Sequence, residues 1–194
     1  MMRIEQLVRE EEDLFVGFVE VLLNPEISKD DVVQMAQKAS DGVEAVQILD
    51  SRLIADENHV LSAVQNAVNA SRGGYMESRS LEVEIAMYAS GQRQISRAFE
   101  IVGVSSKTEK AVIVVVGDDT STVEARVNSL VTALGDTASP QFQPDTNRLV
   151  EIMDTFGIDD AEVKTITTST DPAERQDAIA KCVVGRVSLV AFDT

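Results

Sequence analysis

The sequence predicts a mixed α/β fold: a single domain over residues 1–194, built on a mixed β-sheet flanked by helices, with a helical middle section. Three observations predict it. LFVGFVEVLL (Leu14 to Leu23) and AVIVVV (Ala111 to Val116) are rich in β-formers and read as buried strands. The segments between them repeat apolar residues at helical spacing. Apolar residues make up 44% of the 194, enough for a core of ordinary size.

The elements follow in order. Arg3 to Val8 and Leu14 to Leu23 are expected strands, and Asn24-Pro25 is a turn. Ser28 to Lys38 reads as a helix, with Ser28 as cap and Asp30 and Asp31 at its positive end. Val43 to Leu49 is a third strand. Asp56 to Ala70 is a helix with Val60, Leu61, Val64, Ala67 and Val68 in one stripe. Arg72-Gly73-Gly74-Tyr75 breaks it. Ser80 to Ala89 is the next helix, with Leu81, Ile85 and Tyr88 on one face. Gly91 stands at the position of a left-handed cap, and Gln92 to Val102 resumes the helix. Its residues Ile95 and Phe99 read as core.

After the strand at Ala111 to Val116, Ser121 and Glu124 suggest a capping box for a helix reaching about Leu134. Gly135 to Pro144 reads as a loop and Leu149 to Phe156 as a helix. Asp171-Pro172-Ala173-Glu174 combines a cap, an N1 proline and an acid, and starts another helix. Val187 to Phe192 is an expected closing strand.

Composition removes several function classes. The single cysteine, Cys182, leaves no material for an intramolecular disulfide or a multi-cysteine zinc site, and the single histidine, His59, argues against a transition-metal site. No nucleophile–base pair is recognisable, and VVVGDDTSTV (Val114 to Val123) lacks the glycine pattern of a nucleotide loop. The acidic pairs Asp118-Asp119 and Asp159-Asp160 read as solvated turns. The residues alone leave carboxylate acid–base catalysis open, and nothing in the pattern points to it. MMRIEQLVREEEDLF has no signal-like apolar core and no run is long enough to span a membrane, so a cytoplasmic protein is expected.

The net charge of −16 argues against nucleic acid when taken globally. Such a balance also suits a cytoplasm of high salt. The charge is unevenly spread: Arg52 to Lys110 holds seven basic and seven acidic residues, so the rest of the chain carries the whole −16. ASGQRQISRAF (Ala89 to Phe99) lies inside this neutral island. Its polar groups Ser90, Gln92, Arg93 and Gln94 cluster around Gly91, and Arg97 is expected one helical turn beyond Arg93 on the same face. A helix-turn-helix reading of this stretch fails on spacing, since one residue too few rotates the second helix by about 100°.

His59 to Ala67 (H-V-L-S-A-V-x-x-A) and Glu84 to Gly103 (E-I-x-x-Y-x-S-G-Q-R-Q-I-x-x-A-F-x-x-x-G) resemble the small PRPK-binding (TPRKB-like) subunit of the KEOPS complex, in its archaeal form. The resemblance is motif-specific from about Asp50 to Gly103 and architectural elsewhere. It implies a non-catalytic subunit, without cofactor, metal or small-molecule substrate, that binds the complex's small kinase/ATPase subunit and, through it, meets the other KEOPS subunits. It also implies capture of tRNA, at the single-stranded CCA 3′ end, for threonylcarbamoyl-adenosine synthesis. The residues suited to that end are Ser90, Gly91, Gln92, Arg93, Gln94 and Arg97, with Arg72 and Arg79 near phosphates and His59 as a further donor. Tyr75 and Tyr88 are candidates to stack on a base, Tyr88 being the better core residue. Leu149, Ile152 and Met153 are the expected kinase-binding patch. A protein adaptor without RNA binding and a helix-turn-helix regulator are the alternatives.

Overall fold

The computed structural model describes residues 1–7 and 13–191, and shows one antiparallel five-stranded sheet with helices on both faces. Two strands dominate it, β2 (Phe15–Leu23) and β4 (Lys110–Gly117). They pair over Phe15 to Leu22. β3 (Ala45–Asp50) lies on the far side of β4. β1 (Arg3–Gln6) and the short β5 (Gly135–Thr137) lie end to end along the outer edge of β2.

Strand alternation separates two cores. On β4, Val112, Val114 and Val116 face one layer, while Ala111, Ile113 and Val115 face the other, so all six are buried. The second layer is closed by α1 (Lys29–Ala39) and α5 (Thr120–Leu134), the latter through Val123, Val127, Leu130 and Leu134. Gly17 on β2 admits α5, because a Cβ there would lie 2.6 Å from a methyl of Val123.

The first layer is larger. It packs α2 (Glu57–Gly73), α3 (Leu81–Ser90), α6 (Thr146–Phe156) and α8 (Pro172–Leu189) against the sheet. α4 (Ile95–Val102) joins this layer through Val102 and packs on α3. A short helix, α7 (Asp160–Lys164), precedes α8.

Several expectations are corrected. The closing strand is absent over Val187 to Leu189, where α8 continues. Val183, Val187 and Val190 are buried at i, i+4 and i+7, so packing overrides β-branched propensity. Phe192 lies outside the described residues, as does Val8. The capping box at Ser121 gives way to an Asp119 cap. Its carboxylate accepts from the Thr122 hydroxyl and N–H and from the Ser121 hydroxyl, and these bonds hold it down at about 2. The loop at Gly135 to Pro144 opens with β5. α4 starts at Ile95 rather than Gln92, which puts Gln92 and Arg93 in the turn and Gln94 at the cap.

Candidate nucleic-acid interface

The turn between α3 and α4 is built from its backbone. Gly91 adopts the left-handed conformation at φ 67°, ψ 24°. Its N–H donates to Tyr88 O and the Gln92 N–H to Met87 O, both at 3.0 Å. This paired closure satisfies the last carbonyls of α3. The Ser90 hydroxyl donates to Met87 O at 2.9 Å and is buried. Ser90 is thus part of the cap and presents nothing to a ligand. Gln92 and Arg93 are half-buried, and Gln94 and Arg97 are exposed. Gln94 caps α4 without a side-chain hydrogen bond, so the first N–H groups of α4 face outward without a capping oxygen.

His59 sits behind this turn, fully buried. Its Nδ1 accepts from the Ala55 N–H at 3.0 Å, which leaves the proton on Nε2 to donate to Ala89 O at 2.8 Å. Burial pushes its imidazole down to about 4. The ring of Phe156 meets it edge-on at 5.5 Å and also lies below Gly91. The expected RNA donor is therefore a core residue bracing the end of α3. Its polar atoms are both used, and no ligand reaches it.

The charges are paired. The Arg93 guanidinium donates to the Glu77 carboxylate, and Arg97 pairs with Glu100 at 2.9 Å. Arg93 and Arg97 therefore diverge, because Arg93 precedes the helix instead of sharing its face. Arg72 and Arg79 are both exposed, on either side of the segment holding Tyr75 and Glu77. Tyr75 is half-exposed, whereas Tyr88 is buried and its phenol is pushed up to about 12, chiefly by burial.

Two residues that the sequence reading missed organise this region. The buried Glu84 carboxylate accepts from the Ser78 N–H at 2.9 Å and the Glu77 N–H at 3.4 Å, which holds that segment beside α3. A signal existed: Glu84 falls on the stripe Leu81, Ile85, Tyr88, and a charge on an apolar stripe demands partners. Phe156 gave no such signal. The expected kinase patch is also corrected. Leu149, Ile152 and Met153 are buried in the first core, because α6 turns that face inward and leaves Val150 outside.

The fold and this turn define a small α/β protein whose elaborated surface is a polar helix-to-helix junction. Among the described residues no His, Cys, Asp and Glu group is arranged to hold a metal, and no helix is long and apolar enough to cross a membrane. Residues 28–191 match the family model for the kinase binding protein CGI-121, and the chain belongs to that family. No curated protein matches the chain in sequence.

Proposed function

We propose that this protein is the non-catalytic small subunit of a KEOPS-type complex in the cytoplasm, which binds the kinase/ATPase subunit and captures the single-stranded CCA 3′ end of tRNA. The observation that carries the RNA half is the α3–α4 turn. There Gln92, Arg93 and Gln94 project from a backbone locked by Gly91, beside the uncapped start of α4. Unpaired bases offer hydrogen-bonding edges that such amides and a guanidinium can read, and Tyr75 offers a face for stacking. Arg72, Arg79 and Arg97 supply positive charge at the margin. Arg93 must exchange Glu77 for RNA, so base contacts outweigh phosphate contacts in this site.

The ion pairs on Arg93 and Arg97, with a net charge of −16, favour one other reading, an adaptor that binds protein alone. A gel shift with intact tRNA and with tRNA lacking CCA, at low and high salt, separates the two. End capture requires preference for the intact tRNA. Equal binding of both RNAs would sink it, and binding of neither leaves the adaptor. Arg93→Glu is expected to lose RNA while keeping the kinase subunit.

A further inference from the structure

α4 carries one broad apolar stripe, Ile95, Ala98, Phe99 and Val102 at i, i+3, i+4 and i+7, and only one side of it is covered. Ala98 and Val102 are buried, as a single core-facing stripe requires. Ile95 and Phe99, one turn apart along the other edge of the stripe, are 45% and 39% exposed. Both were expected in the core, and both stay exposed.

Phe99 forms one wall of a groove of about 340 Å³ between the two helical layers, where the sheet ends at β3. Val32, Val33 and Ala36 of α1 form the opposite wall, and Val83 of α3 extends the first. Val33 is itself 44% exposed, so two of the protein's exposed large apolar side chains meet here, with Ile95 a turn away. The others, such as Val150, Ile166 and Leu189, lie on separate elements. A cluster of this kind marks a contact surface, whereas scattered apolar residues do not.

The floor of the groove says what kind of contact it takes. A free strand edge would invite another strand. Here Gln47 closes it. Its Oε1 accepts from the Ile48 N–H at 2.9 Å, and its Nε2 donates to Glu82 O at 3.0 Å. Gly103 bridges to Leu49 further along. With the Ile48 N–H occupied, a strand added here loses that edge hydrogen bond, while the apolar walls stay open to side chains.

Charge narrows the occupant. Lys29 and Glu82 are the only charged residues lining the groove, so its rim is neutral. A second copy would bring another −16 against this one, and an RNA backbone would find one lysine and an apolar wall. A neutral or basic protein with protruding apolar side chains meets neither penalty. We infer that the kinase partner of this family seats an apolar segment in the groove between Val33 and Phe99, with Ile95 at its margin.

The inference rests on the kinase-binding reading, and its test keeps the two apart. The wild-type chain and the variants Phe99→Glu, Val33→Glu, Val150→Glu and Leu189→Glu are titrated against the complex's kinase subunit from the same source, after each variant's fold is checked by circular dichroism. The first two are expected to weaken binding about tenfold or more, as loss of a central apolar anchor does. The last two are expected to bind as wild type. If the wild type binds and all four variants bind equally, the groove is refuted and the kinase reading stands. If the wild type does not bind, both fall. The chain has no tryptophan, so Phe99→Trp gives a second measurement that keeps an apolar ring in place. It should still bind, and its emission, read against kinase alone, should shift to the blue. An unshifted emission in a formed complex, or dimerisation of the free chain through this face, overturns the proposal.

Discussion

The lone histidine makes one prediction unusually clean. His59 is buried with both ring nitrogens bonded, and its imidazole lies near 4 rather than the ordinary 6.5. The folded state resists protonation, while the unfolded chain accepts a proton as soon as pH drops below the ordinary value. Stability from this group is therefore complete above the unfolded pKa and declines as pH falls toward the folded one. A shift of this size corresponds to about 3 kcal/mol lost once pH is below 4, and about 2 kcal/mol already lost at pH 5. That is a large part of the ~5–15 kcal/mol of an ordinary domain. Urea unfolding of the wild type and His59→Gln at pH 7.5 and pH 5 measures it. The wild type should lose about 2 kcal/mol more than the variant between the two. Asp56, whose carboxyl is raised chiefly by burial, contributes with the opposite sign, but it is present in both proteins. The ring C–H signals of the only histidine should stay flat in an NMR titration down to about pH 5. Equal pH dependence in the two proteins, or a midpoint near 6.5, would refute the buried, singly protonated ring.

Other outcomes follow from the same geometry. Gly91→Ala places a Cβ at φ 67° and 3.4 Å from the Phe156 ring, so it should lower stability by about 1–2 kcal/mol, with Gly91→Asn milder in the same urea assay. Glu84→Gln replaces a carboxylate that accepts two backbone N–H groups and should cost about 1–3 kcal/mol. It should also speed amide exchange at Ser78. Glu77→Gln frees Arg93 from its ion pair. The variant should bind tRNA more tightly than wild type, and its log–log salt dependence should steepen by about 0.7 if one phosphate is gained. An unchanged slope would mean that Arg93 reads a base.

Much of the fold was legible because it depends on short-range patterns. The uninterrupted apolar run at Ala111 to Val116 reads as a strand buried on both faces, and the structure puts it at the centre of the sheet. The caps at Ser28 and Asp171 and the left-handed Gly91 were also readable, since each is settled by the few atoms around a helix end. Boundaries were less so. The closing strand became the last turn of α8 because Val187 and Val190 found partners at helical spacing, which propensity cannot see.

The site divides along the same line. The sequence alone determined a glycine-locked break with Gln92, Arg93 and Gln94 clustered beside it, because backbone sterics and hydrogen bonding act within about five residues there; the structure moved these three from the helix into the turn and its cap. Tertiary structure alone decided which side chains around it are free. His59 and Ser90 turned inward to satisfy carbonyls of α3, and Glu77 came across to Arg93 on a segment held by Glu84. Leu149, Ile152 and Met153 went into the core, while Ile95 and Phe99 stayed outside. An apolar periodicity says that a face will be covered. Only the packed layers say whether this chain covers it or leaves it for another.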